Sequence, residues 1–368
     1  MKLLICLAAS LLATSAAPAF AKPAPAAAAD VRKAALDRDM PAILQKHKVP
    51  SISVAHVERG RIVFAAAYGE QSPGVPATPQ TLYNVASLTK PVSAEVVLLL
   101  ASEGKLSLDE PMYTAWADPD VLADPRHKLL TPRLALSHQT GFPNWRYLAA
   151  DKKLAFGHAP GQGVGYSGEG YEWFARFAAR KVGVPFETLA QKLVFEPAGM
   201  KDTAYTARPW FAGRLAVGTG KDGKPVPAKV PTEYVASDDI HTTAADYARF
   251  MIFAAKGKGL TRSIRQQRQT VQASTWAKTC AGEKAKTCPN ELGFGLGWEV
   301  LRFGGETILF HTGADKGEFT LALFNPRTRN GTVVLTSHSN GAYAIVDVLD
   351  RIGGEPALLA YLHTQADY

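Results

Sequence analysis

The sequence predicts an α/β protein of the α+β kind. An antiparallel sheet flanked by helices is built from both ends of the chain, with a mainly helical domain inserted between its halves. Three observations predict this. A hairpin signal stands near the N-terminus, strand-like segments are scarce from about residue 106 to residue 259, and β-rich segments return between residues 294 and 337. Hydrophobic residues are 46% and charged residues 20% of the 368 residues, enough to bury a core and too mixed for a polytopic membrane protein. The net charge is +8, but the lysines and arginines are scattered. Only short clusters occur, such as Arg262, Arg265 and Arg268, which argues against a nucleic-acid partner.

Each element has its own signal. Lys2, the apolar run Leu3 to Leu12 and the small-residue site Ala19-Phe20-Ala21 read as a signal peptide over residues 1–21. The run is too short to span a bilayer. The mature protein is therefore expected to be periplasmic or secreted, with no stable membrane anchor. Residues 22–29, Pro and Ala almost throughout, read as a flexible lead-in. Asp30 to Lys46 has helical spacing. Ile52 to Val57 and Ile62 to Tyr68 flank Glu58-Arg59-Gly60-Arg61 as the arms of a hairpin. Pro91 to Ser102 is a mostly apolar helix, hence buried. Helical patterns follow at Tyr171 to Lys181, Phe186 to Val194 and Thr243 to Ala255. Strand patterns follow at Phe294 to Val300, Thr307 to Thr312, Phe319 to Asn325 and Thr332 to Ser337, with Asn330-Gly331 as a tight-turn pair. A last helix is expected from about Ala342 to Leu362, weakened at Gly353-Gly354. The sheet domain is thus assigned to residues 30–105 and 290–368, and the helical insert to residues 106–289.

Cys6 falls in the signal peptide. Cys280 and Cys288 flank a polar segment and are expected to pair in an oxidising compartment. Closing that short loop stabilises by roughly 2–3 kcal/mol on the chain-entropy model. No zinc-ligand spacing, H-E-x-x-H or carboxylate cluster occurs, so neither metal nor cofactor is expected.

Three short stretches carry chemistry. In Ser87-Leu88-Thr89-Lys90, serine and lysine at i and i+3 share one helix face, with Cβ atoms about 5–6 Å apart. A helix start favours negative charge on Oγ, and a desolvated lysine has a lowered pKa and can act as a base. The pattern alone equally fits a helix cap and a surface lysine, but Lys90 leads into an apolar helix that must be buried. In Tyr166-Ser167-Gly168-Glu169-Gly170-Tyr171 a glycine-rich loop can point the Tyr166 phenol into a cleft, where cations could make it a phenolate base. His311-Thr312-Gly313-Ala314 ends a strand and can place main-chain N–H groups beside a substrate carbonyl.

In this order the three stretches resemble the serine β-lactamase and penicillin-binding-protein superfamily, in its branch of class C β-lactamases and related esterases and D-amino-acid peptidases. The resemblance runs from about Ile52 to Ser339. Leu136-Ser137-His138-Gln139-Thr140-Gly141-Phe142-Pro143, Glu196 to Thr203, Thr242-Thr243-Ala244-Ala245-Asp246 and Phe294-Gly295-Leu296-Gly297-Trp298 support it. It implies that Ser87 is the acylated nucleophile, Lys90 its activating partner and Tyr166 a second base. It places the oxyanion hole at the backbone N–H groups of Ser87 and Ala314, and substrate contacts at His311, Thr312 and Gly313.

Two positions depart from the family pattern. Gly168 stands where the tyrosine motif usually ends in Asn, and His311 where the third motif usually begins with Lys. A fixed cation that would hold a substrate carboxylate becomes a titratable imidazole, although Lys316 lies close in sequence. The expected activity is an exported serine hydrolase acting through an acyl-serine on a small ester, amide or short peptide, of the carboxylesterase or D-amino-acid peptidase type. The alternatives are a β-lactamase or D-alanyl-D-alanine carboxypeptidase and, in another class, a non-catalytic penicillin-binding sensor module. His138 is expected to pack in a turn, and Asp238-Asp239 to be a cap or loop pair in preference to a carboxylate dyad. Trp145 and Tyr147 fit a cleft wall or the core equally.

Overall fold

The computed structural model describes residues 25–366, so the expected signal peptide lies outside the described residues. The helices are α1 (Pro25–His47), α2 (Thr89–Ser102), α3 (Pro132–Leu136), α4 (Gly168–Val182), α5 (Phe186–Ala190), α6 (Glu196–Ala198), α7 (Ala244–Lys256), α8 (Arg262–Arg268), α9 (Trp276–Thr279), α10 (Ala342–Ile352) and α11 (Pro356–Ala366). The strands are β1 (Ser51–Glu58), β2 (Arg61–Ser72), β3 (Val75–Pro76), β4 (Tyr83–Asn84), β5 (Gly218–Thr219), β6 (Pro225–Val226), β7 (His241–Thr242), β8 (Ala273–Ser274), β9 (Glu291–Phe294), β10 (Glu299–Phe303), β11 (Glu306–Asp315), β12 (Glu318–Asn325) and β13 (Asn330–Thr336).

Among the described residues, nine strands form one sheet in the order β3-β2-β1-β13-β12-β11-β10-β9-β8, every pairing antiparallel. Both ends of the chain build it, and the first strand lies against the last, with Ile52 opposite Thr336. Alternate residues of each strand point to opposite faces, and here both faces are covered. Ile52, Val54, Leu321 and Val334 pack with α1, α10 and α11. Ala55, Val57, Ala322, Phe324, Val333 and Leu335 pack with α2, α4 and α7. The pairs β4–β7 and β5–β6 lie outside this sheet.

The β1–β2 turn forms at Arg59 and Gly60, both with positive φ, as a two-residue hairpin turn requires. Several expected boundaries move. Residues 25–29 of the expected lead-in are helical, because alanine is the best helix former and proline is tolerated at a first helical position. The sheet begins to recruit the C-terminal part of the chain at β8, before residue 290, because Ala273 and Ser274 cover the edge of β9. The expected strand from Phe294 to Val300 is broken by a turn at residues 295–298, with Phe294 ending β9 opposite Glu299 of β10. Asn330-Gly331 starts β13 instead of making the turn; the bend precedes it, with Arg329 at positive φ. Asn330 Oδ1 instead accepts the Arg59 N–H at 2.8 Å, tying two turns together. The last helix breaks into α10 and α11 at Gly353, whose φ is 75°.

The Arg262, Arg265 and Arg268 cluster is not a surface patch, since Arg268 is fully buried. Its guanidinium holds both oxygens of Glu95 on α2, at 2.8 and 2.6 Å, and donates to the Ala254 carbonyl at 2.7 Å. This buried pair pins α2 to α8 and α7. Cys280 and Cys288 are joined in a disulfide with Cα atoms 5.9 Å apart.

Candidate active site

Ser87 sits in a 3-10 turn, Ala86–Leu88, that runs directly into α2. The turn is fixed from several sides. Ala86 adopts a φ of 47°, a left-handed conformation that non-glycine residues rarely adopt, and its N–H donates to Asn84 Oδ1 at 2.8 Å. Val85 N–H bonds the Ile240 carbonyl at 2.9 Å. Tyr247 donates to the Leu88 carbonyl at 2.8 Å and Thr320 to the Val85 carbonyl at 2.8 Å. The serine is only partly exposed at the head of a helix that is otherwise buried.

Lys90 is fully buried, which removes the surface-lysine alternative. Its Nζ donates to Ser87 Oγ at 2.9 Å and to the Ser237 carbonyl at 2.9 Å. Burial pushes the ammonium down to about 8, against the upward pull of the Asp238 and Glu172 carboxylates. The Tyr166 hydroxyl is hydrogen-bonded with Ser87, and Lys90 Nζ lies 4.7 Å from the Tyr166 ring centroid. Burial raises the Tyr166 phenol well above 10, so it is a neutral phenol and not the phenolate the sequence suggested.

His138 has a larger part here than turn packing. Its ring lies 4.4 Å from the Tyr166 ring, 5.3 Å from Tyr171 and 4.5 Å from Phe294, centroid to centroid. Its Nδ1 accepts the Ser167 N–H at 3.1 Å, which leaves the ring proton on Nε2. Burial, with Lys90 nearby, holds this imidazole well below 6.5 and therefore neutral. It is the platform against which the Tyr166 ring is set.

β11 brings the third stretch alongside. Gly313 lies so close to the Ser87 turn that a Cβ there would stand 2.2 Å from the Val85 carbonyl oxygen and 3.0 Å from Ser87 N, which explains the glycine. Thr312 is partly exposed and Ala314 exposed toward the open end of the strand. His311 differs from expectation. It is 2% exposed, its Nδ1 donates to the Thr312 carbonyl at 2.6 Å, and burial with Lys90 nearby pushes it down to about 3. The imidazole is therefore neutral throughout the physiological range and offers no cation. Its Nε2 is a buried acceptor with no partner among the described residues. Lys316 is exposed.

The surrounding groups are acidic, and burial holds part of them protonated. Asp238, Asp239, Asp315 and Glu318 interact electrostatically, and burial with their mutual repulsion raises Glu318 to about 9. Asp239 takes a φ of 68° and accepts from Asn84 Nδ2 at 3.0 Å, so the expected loop pair is in fact part of the site's wall. A cavity of about 320 Å³ beside it is lined by Asn84, Asp239, Asp315 and Glu318, with the exposed Lys229 and Lys316 at its rim. At Gly168, a Cβ would meet the Asn144 carbonyl at 3.0 Å and the Trp145 ring at 3.0 and 3.1 Å. Trp145 fills the space a side chain at 168 would need, and it stacks on the exposed Tyr147. Glu172, Ser237 and His138 are the site residues that local sequence patterns missed. Their only sequence signals were the polar interruptions of otherwise apolar or glycine-rich stretches. Among the described residues no group of three His, Cys, Asp or Glu side chains is placed to hold a metal ion, and no helix is long and apolar enough to cross a membrane.

The chain is 26% identical over 325 residues to the D-alanyl-D-alanine-carboxypeptidase/endopeptidase AmpH of Escherichia coli K12, covering 80% of this chain and 82% of that protein. Its fold is similar to the D-alanine carboxypeptidase AmpC of Burkholderia cenocepacia, with a TM-score of 0.72 at 21% identity over 88% of this chain and 99% of the other. It is similar also to a class C β-lactamase, with a TM-score of 0.71 at 20% identity over 88% and 97% of the two chains. The Beta-lactamase family model matches residues 36–351, so this chain belongs to the β-lactamase family of serine hydrolases.

Proposed function

We infer that the protein hydrolyses small esters or amides, D-aminoacyl and short peptide amides among them, through an acyl–Ser87 intermediate. The observation that carries this reading is the desolvated Lys90 Nζ at 2.9 Å from Ser87 Oγ, with the Tyr166 hydroxyl bonded with the same serine. With a pKa of about 8, Lys90 is the group able to take the Ser87 proton near neutrality, and the Tyr166 phenol keeps its own. Oγ then attacks the substrate carbonyl carbon, and the oxyanion sits between the Ser87 and Ala314 N–H groups. Tyr166 gives its proton to the leaving atom and is reprotonated from the Lys90 ammonium. A water attacks the acyl carbon, loses its proton by the same route, and Ser87 Oγ regains one as it leaves. Losing one oxyanion donor would reduce the rate about 10²–10³-fold.

Neutral His311 and the acidic wall at Asp239 and Asp315 support neutral or amine-bearing substrates over anionic ones, while Glu318, raised to about 9, stays protonated near neutrality. The AmpH relative and the rim lysines favour a second reading, cleavage of a D-alanyl-D-alanine terminus. The signal-peptide pattern and the Cys280–Cys288 pair support an exported protein. The test is labelling by a fluorophosphonate with mass mapping, followed by turnover of p-nitrophenyl butyrate, D-alanine p-nitroanilide and nitrocefin. Label on Ser87 and hydrolysis of the first two above nitrocefin are expected. Label elsewhere, or none on folded protein, overturns the acyl-serine reading, and fastest turnover of nitrocefin overturns the preference.

A further inference from the structure

Glu172 lies on α4, beyond Tyr166, and touches neither Ser87 nor Lys90. Its carboxylate accepts the Ser237 N–H at 3.0 Å and the Ser237 hydroxyl at 2.8 Å, and it also accepts the Ala236 N–H. Ser237 belongs to a turn with no regular ladder of its own. α2 holds the same turn from the other side, where Ser93 Oγ donates to the Ala236 carbonyl. The Ser237 carbonyl in turn receives one proton of Lys90 Nζ at 2.9 Å, while a second goes to Ser87 Oγ. The direction of that carbonyl therefore sets where the ammonium points, and Glu172 sets the direction of that carbonyl.

We propose that Glu172 is the positioning residue of Lys90, acting through the Ser237 main chain. The inference rests on the acyl-serine reading above. The groups facing Lys90 are the Asp238 carboxylate on the same turn, the Tyr166 and Tyr171 rings with centroids 4.7 and 5.7 Å from Nζ, and the neutral His138 and His311. Of these, Asp238 joins Glu172 in favouring the charged lysine, and the faces of the two tyrosine rings favour it as well. Glu172 thus both aims the lysine and tunes it. An ordinary loop anchor would do neither.

The test reads Lys90 directly and separately from activity. [ε-13C]lysine NMR, with the Lys90 signal identified by its loss in Lys90→Arg, gives the titration midpoint. Fluorophosphonate labelling of Ser87 between pH 5.5 and 9.5 gives the rate profile. Glu172→Gln keeps an oxygen acceptor and loses the charge. Its Lys90 midpoint should fall by about one unit, and the labelling profile should move to lower pH by the same amount. Ser237→Ala loses one anchoring bond and no charge, so its labelling plateau should fall about threefold at an unmoved midpoint. A Glu172→Gln protein with the wild-type midpoint and profile overturns the proposal. If that variant fails to fold, a wild-type plateau in Ser237→Ala overturns it instead. A wild type that takes no label, while its Lys90 midpoint still falls in Glu172→Gln, overturns the acyl-serine reading and leaves the Glu172–Lys90 link standing.

Discussion

Installing the amide expected at the end of the tyrosine motif tests whether Gly168 and Trp145 form a matched pair. In Gly168→Asn the new Cβ stands 3.0 Å from the Asn144 carbonyl oxygen and 3.0 and 3.1 Å from the Trp145 ring. The carbonyl cannot retreat, because it accepts the N–H groups of Gly168 at 3.0 Å and Glu169 at 3.2 Å. The indole must move instead. Overpacking of this kind costs about 1–3 kcal/mol. Against this, replacing glycine within a helix gains about 0.3 kcal/mol. The expected net loss is about 1–2.5 kcal/mol, a Tm lower by roughly 3–6 °C. Trp145→Ala removes the obstruction, so the double variant should recover about 1 kcal/mol of the sum of the single losses. Urea melts of the four proteins give the cycle, and nitrocefin turnover shows whether the amide then reaches the substrate. Gly168→Asn alone should not raise that turnover, whereas the double variant should exceed both singles. A single Asn variant that melts like the wild type and gains nitrocefin activity refutes the steric pairing.

Three further outcomes are expected. If neutral Lys90 is the base, kcat/KM for p-nitrophenyl butyrate rises with pH through about 8; the neutral fraction is about a tenth at pH 7 and about a hundredth at pH 6, so a flat profile from pH 6 to 9 contradicts it. Glu95→Gln leaves the buried Arg268 charge without its carboxylate and should destabilise by about 3–5 kcal/mol in urea melts; a loss under 1 kcal/mol would mean the pair does not anchor α2. Replacing Cys280 and Cys288 together by Ser should lower stability by roughly 2–3 kcal/mol and leave turnover largely intact, since the pair lies in the cluster around α11, away from Ser87; a collapse of kcat in folded protein contradicts that separation.

Ser87, Lys90 and Tyr166, which the structure brings together, stand out in the sequence because each is marked by its own neighbours: a helix start, a spacing of three, a glycine-rich loop. The state of each group does not, because protonation follows depth. Nothing within ten residues of Tyr166 or His311 shows that both rings are buried and neutral. Glu172 and Ser237 meet across 65 positions, so no local pattern could join them. The hairpin at Arg59-Gly60 was legible because its turn chemistry is local, and Asn330-Gly331 misled for the same reason. Two strands there compete for the glycine, since a Cβ at 331 would meet the Leu323 carbonyl at 2.6 Å, and the bend moves upstream. The two-sided sheet followed from the returning β-rich segments, and β9 to β13 pair as successive neighbours, whereas the pairing of β1 with β13 joins distant residues and has no local signal.

The junction of β1 with β13 governs how this protein comes into being. The Ser51 N–H bonds to Ser337 Oγ, 286 positions away. Contacts of such span carry a heavy loop-closure penalty and slow folding. The N-terminal hairpin therefore keeps one long edge unpaired until the chain has been delivered as far as β13. Ser87, Tyr166 and Gly313 belong to three well-separated stretches of that polypeptide, and within the sheet the strand that carries Gly313 is joined to β1 through β12 and β13. A chain cut short before β13 keeps every one of these groups but leaves β1 and β12 without the strand that lies between them.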